Sequence, residues 1–513
     1  MIKYMRPLLI LLLALQFTHA QESRQYLRLK TGIHFDSSVS GGRYTLGELA
    51  TIISRSDLDA AIITDHDNMK VSYGLTPFQK YLKYTINLNS VSTYGFERYL
   101  FEIEQYDKLY PDVLIMPGIE AVPFYYWEGS ALNENLYLKD WHTHLLVFGL
   151  SNTEAYKNLP SLANGIGYHK PSGEIMKYIA KYYTYYLLII LYAVLFLVSF
   201  FSIIRKKKRM RDIAHIRRGL RKYRFSLPSL LFAVLFAYLL RNEYPFLPPL
   251  YDQYSGSQGV GPYQTLIDYV NQHDGLVFWA HPEVEHKETI PVKIPLLSQD
   301  INLLTEAYPN MVVQSNGYTG YAIFWEGMKI VGHPGGLWDL VLNEYCRGIR
   351  SKPAYAIGEL DFEESNNLEL LDETNTFVFA ESKTSPAVLD ALKAGRMYAT
   401  RNFLGDKVTL DDFSAYDTRT KSSAFMGETL ENSSGNISMH FRLTAIKPLS
   451  RPLSVKLYRN KQLVKRYSFS TTLDEWFADG KGSGDKVYYY RLIIEEDSWP
   501  VLSTNPVFIS KMD

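Results

Sequence analysis

Short apolar runs rich in β-forming residues recur along the chain, and each ends in acidic, amide or histidine side chains. The runs are AAIIT (60–64) before Asp65-His66-Asp67, VLIMPGI (113–119) before Glu120, LVFWA (276–280) before His281, MVV (311–313) before Gln314-Ser315-Asn316, and AYAIG (354–358) before Glu359, Asp361 and Glu363. Helix-like stretches lie between several of them, at 45–56, 263–273 and 336–347. Apolar strands that alternate with helices predict a parallel β/α sheet or barrel. Such barrels place their active sites at the carboxyl ends of the strands.

Two longer apolar runs interrupt this alternation. Residues 182–204 carry no charge and are long enough to cross about 30 Å of hydrocarbon as a helix. The second run, within 225–243, is shorter and contains Pro228, so a tilted, re-entrant or interfacial segment stays open. We predict a transmembrane helix over each run.

The loop between these runs, 205–224, is strongly basic, and Asp212 is its one acidic residue. Between two membrane spans, such a loop is typical of the cytoplasmic side, where it can also touch anionic lipid. The flanks, 21–181 and 244–513, then both lie outside the cytoplasm. An even number of spans allows them to form one domain.

The N-terminus, residues 1–20, has the order of a secretory signal peptide. Lys3 and Arg6 precede an apolar run, and small residues close it near Ala20. An uncleaved anchor is the alternative, and it gives the same topology. We therefore predict a membrane protein whose catalytic domain is periplasmic or extracellular.

Composition adds three limits. The 513 residues exceed one compact domain, so two or three units are expected. The formal net charge is +0, which gives no global field for nucleic acid, and we predict no such partner. Cys346 is the one cysteine, so no intrachain disulfide can form.

From residue 404 onwards the pattern changes to short alternating runs separated by Gly, Asn, Asp and Ser. These runs lie at 437–446, 453–460, 486–496 and 506–511. They predict an antiparallel β-sandwich over 404–513 with an accessory role. Protein partners are not indicated.

His34 and Asp36 suggest what the polar strand ends do. Spaced i, i+2 in an extended segment, their side chains leave on one face and can reach one ion. A single His or Asp after a strand is more often a cap or loop residue. Several such ends in one chain favour a metal site, and imidazole with carboxylate suits Zn, Mn or Fe.

Six motifs in sequence order resemble those of the polymerase and histidinol phosphatase (PHP) family of metal-dependent phosphoesterases. They are His34-Phe35-Asp36 with Ser37 to Gly42, Thr64-Asp65-His66-Asp67, Gly118-Ile119-Glu120, His144, Ala280-His281-Pro282, and Leu360-Asp361-Phe362-Glu363. The resemblance covers 26–150 and 260–400, and 387–401 resembles the segment that closes such domains in exported members. It implies a distorted parallel β/α barrel, formed by 21–181 and 244–403, with two or three divalent metal ions.

The resemblance also implies which side chains hold the metal ions. The candidate ligands are His34, Asp36, His66, Glu120, His144, His281, Asp361 and Glu363. Asp65 and Asp67 are candidate catalytic residues that orient His66 or move a proton. His142 stays open as an alternative to His144.

The sequence departs from the family pattern at three points. Asp36 and Glu363 stand where the family has histidine, and Gly41 and Gly42 occupy the position of a further ligand. Two anionic oxygens in place of neutral nitrogens should favour Mn or Fe over Zn. The remaining histidines are interpreted as structural: His169, His273, His286, His333 and His440.

The resulting prediction is a metal-dependent hydrolase, with a small phosphorylated molecule as the favoured substrate and water activated by a di- or trinuclear site. Two alternatives stay open. One is hydrolysis of an ester, amide or carbamate bond, since fold and metals do not fix the bond cleaved. The other is a non-catalytic PHP-like sensor or binding protein.

Overall fold

The computed structural model describes residues 26–512, apart from 131–134, 167, 169–178, 181, 207–222, 245, 295–296, 325, 364–366 and 481. The predicted signal peptide and most of the predicted cytoplasmic loop lie outside the described residues, as does His169.

The first part of the chain alternates strands and helices. Its elements are β1 (Leu27–Phe35), α1 (Leu46–Arg55), β2 (Ala60–Ile63), β3 (Lys70–Gly74), β4 (Lys83–Asn87), α2 (Val91–Tyr94), α3 (Phe96–Leu109), β5 (Leu114–Ala121), β6 (Tyr126–Glu128), β7 (Leu136–Lys139), β8 (Leu145–Phe148) and α4 (Thr153–Lys157). β1, β2 and β5 are parallel, and every residue of β2 is buried, as its continuous apolar run predicts. α1 begins at a capping box, in which Thr45 and Glu48 satisfy each other's backbone N–H groups.

A helical hairpin follows. Its elements are α5 (Tyr183–Phe201), β9 (Ile204–Lys206), β10 (Tyr223–Phe225) and α6 (Leu227–Glu243). The two helices are antiparallel, because Tyr185 donates to the Glu243 carbonyl at one end and Ser226 N–H to the Ile203 carbonyl at the other (3.3 and 2.8 Å). Pro228 lies in the first turn of α6, where proline is tolerated.

One helix among the described residues, α5, is long and apolar enough to cross a membrane. None of its 19 residues is buried, and its mean hydropathy is 2.3. α6 is two residues shorter, at 17.

The second part of the chain adds the remaining strands of the sheet. Its elements are α7 (Gly261–Gln272), β11 (Leu276–Trp279), β12 (His286–Ile294), β13 (Leu297–Thr305), α8 (Pro309–Gln314), β14 (Gly320–Phe324), a π-helical turn (Met328–Gly332), α9 (Leu337–Cys346), β15 (Tyr355–Gly358), a 3₁₀ turn (Leu368–Asp372), β16 (Asn375–Ala380), α10 (Ser385–Ala394) and β17 (Met397–Thr400). The strand order is β15-β14-β11-β8-β5-β2-β1-β16-β17. The fold is therefore mixed α/β.

Two expectations about the strands were wrong. The run at 311–313 lies in helix α8, which starts at Pro309; three apolar residues cannot distinguish strand from helix. The sheet is also not fully parallel, since β8 is antiparallel to both β5 and β11. The described residues between β5 and β8, which leave out 131–134, form the strands β6 and β7 and no crossover helix, and β8 runs in the direction opposite to β5.

The segment after β15 returns to the end of β1. Leu360 N–H donates to the Ile33 carbonyl (2.8 Å), and Phe362 N–H donates to the His34 carbonyl (3.1 Å). Phe362 is buried between the rings of Phe35 and Tyr44. These contacts bring the ends of β1 and β15 together.

The C-terminal region is built of strands. Its elements are a 3₁₀ turn (Leu404–Asp406), β18 (Val408–Asp417), β19 (Ser423–Phe425), β20 (Thr429–Ser433), β21 (Ile437–Ala445), β22 (Leu453–Arg459), β23 (Gln462–Phe469), β24 (Thr472–Asp479), β25 (Val487–Glu496), β26 (Trp499–Thr504) and β27 (Val507–Lys511). All four runs predicted as strands are strands. β18, β19, β21 and β24 form a separate sheet, whereas β26 pairs with β17 and so continues the large sheet. Arg491, fully buried, ties this region to α9 through Asp339 at 2.6 Å.

The segments inserted after β2, β5 and β11 form a cap over the ends of these strands. We define the cap as β3, β4, β6, β7, β12 and β13. β6, β7, β13 and β12 make a four-stranded sheet. Val71, Trp127, Leu138 and Ile301 bury their side chains in one small core, which joins β3 to that sheet. Each insert follows a strand whose carboxyl end carries a predicted ligand.

Candidate metal centre

The backbone at the end of β1 turns His34 towards the other candidate ligands. His34 has a φ of 75°, and the β1–β2 register shifts between Ile33 and Phe35. A left-handed backbone is uncommon for a residue other than glycine and is often found at functional sites. The buried His34 ring places Nε2 3.3 Å from Glu120 Oε2 and 3.6 Å from Asp36 Oδ2.

The loop that carries Asp36 is held by Asp65. The Asp65 carboxylate accepts hydrogen bonds from the backbone N–H and the hydroxyl of both Ser37 and Ser40, at 2.7–3.1 Å. These bonds go to the loop rather than to the His66 ring. The Ser40 hydroxyl also lies 3.1 Å from Asp36 Oδ1, which places the Asp36 carboxyl group against this loop. Burial raises the pKa of Asp36 well above its ordinary value, with nearby carboxylates adding to the shift.

Gly42 packs closely against the loop that carries Asp36. A Cβ at this position would lie 2.0 Å from the Asp36 carbonyl oxygen, so this backbone has no room for a side chain. A further ligand therefore cannot come from residue 42.

Glu120 lies at the centre of four imidazoles. Its carboxylate oxygens are 2.5 Å from His144 Nδ1, 3.0 Å from His66 Nδ1, 3.3 Å from His34 Nε2 and 3.5 Å from His281 Nε2. An isolated parallel bridge also pairs the backbones of His66 and Glu120. Burial alone would raise the pKa of Glu120, but the surrounding imidazoles hold it well below its ordinary value. Glu120 is therefore ionised at neutral pH.

The orientation of His144 identifies which of two neighbouring histidines approaches the site. His144 Nε2 lies 3.1 Å from the Trp141 carbonyl, which can only accept, so Nε2 carries a proton, and Nδ1 is the ring nitrogen that faces Glu120, 2.5 Å from Oε1. The His142 ring instead lies on His286, with centroids 3.7 Å apart. Burial lowers the pKa of His66 to about 4, so the His66 ring is also neutral at pH 7 and able to act as a ligand.

Glu359 was not predicted as a site residue, yet it contacts two candidate ligands. Its Oε2 is 3.1 Å from His34 Nδ1, and its Oε1 accepts the His281 backbone N–H at 2.6 Å. Glu359 directly follows the apolar run 354–358, which is the signal that could have identified it. His281 Nδ1 also lies 3.2 Å from the Tyr308 hydroxyl. The pKa of His281 is raised to about 9, because the nearby carboxylates outweigh its burial.

The last two candidate ligands differ in placement. Asp361 has a φ of 48° and places Oδ1 3.7 Å from His34 Nε2. Glu363 is exposed, and its side chain belongs to none of the three groups of close donor atoms found among the described residues. Asp67 is buried and accepts the Val122 N–H (3.1 Å), and burial raises its pKa to about 7.

Two groups of donor atoms have the spacing that a metal ion requires. Within each group, His66-Glu120-His144 and His34-Asp36-Asp361, the ligand atoms lie within 4.8 Å of one another. Metal–ligand bonds of about 2.0–2.3 Å produce such separations. Several of these atoms are buried without a hydrogen-bond partner: His34 Nε2, Asp36 Oδ2, His66 Nδ1, Glu120 Oε1 and His144 Nδ1. Buried polar atoms without a partner are rare, so the residues fit divalent cations.

A third acidic group is already neutralised by the protein. Lys30 Nζ lies 2.8 Å from Asp57, 2.7 Å from Asp372 and 2.5 Å from Asp406. The ammonium group takes the place that a cation would occupy. This group is therefore an ion-pair network.

Known proteins resemble this chain only distantly. No family model and no curated protein matches the sequence. A two-domain protein from Bacteroides vulgatus, described as containing a predicted PHP-like metal-dependent phosphoesterase, is 12% identical; the match covers 91% of this chain and 90% of that one, with a TM-score of 0.32. A candidate metal-dependent phosphoesterase from Bifidobacterium adolescentis is 14% identical over 65% of this chain and 87% of that one, with a TM-score of 0.23. Both scores are too low to decide fold or function.

Proposed function

We propose that this chain is a metal-dependent hydrolase of the PHP type, with a phosphoester as its favoured substrate and a distorted barrel as its scaffold. The observation that carries the proposal is Glu120, an ionised carboxylate set among four imidazoles, with buried donor atoms left unbonded. Such an arrangement costs free energy unless a cation is bound.

The residues divide into ligands and supports. His66, Glu120 and His144 would hold one ion, and His34, Asp36 and Asp361 a second, with His281 beside Glu120. When bound, divalent ions lower the pKa of water and neutralise charge on substrate oxygens.

Three carboxylates would serve the site without binding an ion. Glu359 fixes the His34 ring and the backbone of His281, and Asp65 fixes the loop that carries Asp36. Asp67, with its pKa near 7, is the candidate for holding or releasing a proton.

Hydrolysis of a carboxylic ester or carbamate is the second candidate. Asp36, Glu120 and Asp361 form ion pairs with histidines alone in the described part of the chain, and no lysine or arginine is placed among them to hold a phosphate. A binding protein with a degraded metal site is disfavoured, because without an ion these five buried donor atoms would have no partner.

The proposal is tested by adding metals back to protein stripped with a chelator. Phosphomonoesters, phosphodiesters, carboxylic esters and carbamates are offered in parallel. We expect Mn²⁺ to restore phosphoester hydrolysis better than Zn²⁺, because Asp36 adds a hard anionic ligand. Hydrolysis of carbamates alone would favour the second candidate, and no hydrolysis with any metal would favour a binding protein.

We also propose that α5 and α6 cross a membrane and that the flanks lie outside the cytoplasm. The exposed, apolar surface of α5 supports this. In a Cys346→Ser background, Ser255→Cys should react with an impermeant thiol reagent in whole cells, and Gly219→Cys should not. The reverse pattern would contradict the topology.

A further inference from the structure

The candidate site lies at the carboxyl ends of the strands, and the helical hairpin is attached to the sheet at the same ends. Before the hairpin, Tyr168 donates to the Pro123 carbonyl (2.7 Å), two residues beyond the end of β5. After the hairpin, the Gln253 carbonyl accepts Trp127 N–H (2.8 Å), and the Tyr254 hydroxyl accepts Gly74 N–H (2.7 Å). The connection before the hairpin therefore attaches to the loop between β5 and β6, and the connection after it attaches to β3 and β6 of the cap. Both contacts are at the end of the strands where the ligands lie.

The β3–β4 hairpin, which begins four residues after His66, reaches the end of α6. Lys80 N–H donates to Asn242 Oδ1 (3.1 Å), and Lys80 Nζ donates to the Tyr244 carbonyl (2.8 Å). Arg241 Nε donates to the Tyr81 hydroxyl at 2.9 Å. The turn of this hairpin is thus at the level where α6 ends.

The surface of this hairpin has the composition of a membrane-contacting segment. Residues 70–88 contain three lysines and no acidic residue. Lysine and tyrosine are favoured at the membrane interface, and lysine is attracted by anionic lipid. Large exposed side chains cluster here and just beyond α6: Leu75, Tyr81, Leu82, Tyr84, Leu88, Tyr244 and Phe246. Clusters of this kind are unusual on surfaces that face only water.

We propose that the β3–β4 hairpin rests on the bilayer that α5 and α6 cross, so that the metal centre faces the membrane. Its substrate is then an amphipathic ester, anchored in the bilayer by its apolar part and presenting its headgroup to the site. We assign the membrane as the partner of this exposed surface because the β3–β4 hairpin contacts the end of α6, a proposed membrane span. The substrate class rests on the proposed hydrolase function, whereas the membrane contact does not.

The test uses the full chain in nanodiscs that contain phosphatidylglycerol. A spin label at Leu82→Cys, in the Cys346→Ser background, should be protected from a water-soluble relaxation agent. A label at Phe101→Cys, an exposed position on α3, should be accessible and serves as the control. Equal accessibility at the two positions would overturn the membrane contact whatever the enzyme does.

Activity then tests the substrate class. With Mn²⁺ present, the nanodisc phospholipid and a soluble phosphodiester are compared in Leu82→Asp/Leu88→Asp and Phe101→Asp proteins. The ratio of lipid to soluble hydrolysis should fall about tenfold in the first and stay unchanged in the second. Hydrolysis of the soluble ester without any hydrolysis of lipid would overturn the substrate class. Hydrolysis of neither would contradict the proposed function, and the label result would still decide the contact.

Discussion

Replacing Glu359 with glutamine should weaken metal binding although the side chain keeps its shape. In the wild type, the Glu359 carboxylate can only accept, so His34 Nδ1 carries a proton, and Nε2, which lies near Asp36 and Asp361, is the ring nitrogen that would give its lone pair to an ion. In the wild type, the His281 N–H donates to Glu359 Oε1 at 2.6 Å. In Glu359→Gln, the amide oxygen must take this position to accept the same hydrogen bond. The amide NH₂ then faces Nδ1. His34 must shift its proton to Nε2 and can no longer donate that lone pair to an ion.

The size of the effect follows from what such orienting partners contribute. Loss of one typically weakens metal affinity about 10- to 100-fold, which corresponds to roughly 1.4–2.7 kcal/mol. Isothermal titration of the chelator-treated protein with Mn²⁺ measures it directly. Glu97→Gln is the matched control, since Glu97 is exposed on α3 and pairs with Lys157.

Activity of the Glu359→Gln protein should return as the Mn²⁺ concentration is raised, because its ligands are all present. Wild-type affinity in Glu359→Gln would refute the reasoning from the tautomer. Loss of affinity in Glu97→Gln as well would indicate a general effect of removing charge.

Three further substitutions test interactions that stabilise the fold. Asp65→Ala should lower the free energy of unfolding by about 2–4 kcal/mol, since four hydrogen bonds to one buried carboxylate are lost; chemical denaturation measures it, and an unchanged midpoint would contradict it. Asp339→Ala leaves Arg491 buried without its partner and should lower the free energy of unfolding by about 3–5 kcal/mol in the same denaturation assay. A loss close to zero, as for an exposed ion pair, would contradict the burial of Arg491. His440 lies between two aspartates, which raise its pKa. The wild type should therefore have a higher free energy of unfolding than His440→Ala below pH 6.5, and this difference should disappear as the pH rises through the raised pKa. A difference that does not change with pH would refute the prediction.

Much of the site was predictable because its residues follow apolar runs. The apolar composition of the runs at 60–64, 113–119 and 276–280 predicts buried strands. The polar residue after each run is then expected at the carboxyl end of its strand. Parallel strands bring such residues together irrespective of their distance along the chain. The grouping of His66 with Glu120 follows that rule, whereas His144 joins them from the start of β8, which is antiparallel to β5.

Other features depend on backbone turns and contacts that no local pattern encodes. The left-handed backbone of His34 and the close fit of Gly42 against the Asp36 carbonyl lie beside and within the loop that Asp65 closes, a contact between residues far apart in the chain. Glu363 is exposed although it lies only two residues after Asp361. The backbone is left-handed at Asp361, so the rule that i and i+2 side chains share one face of an extended segment does not hold here. The continuation of the sheet from β17 into β26 is a long-range pairing, so periodicity could not predict it.

The most direct test of the metal centre is the metal content of the full-length protein in detergent, measured by mass spectrometry beside its hydrolase activity. We expect the wild type to retain a divalent metal, and His66→Ala and Glu120→Ala to lose both metal and activity, since each removes a proposed ligand. His333→Ala, at an exposed histidine outside both groups, should keep both. A folded wild-type protein that binds no divalent metal, or full activity in Glu120→Ala, would contradict the account.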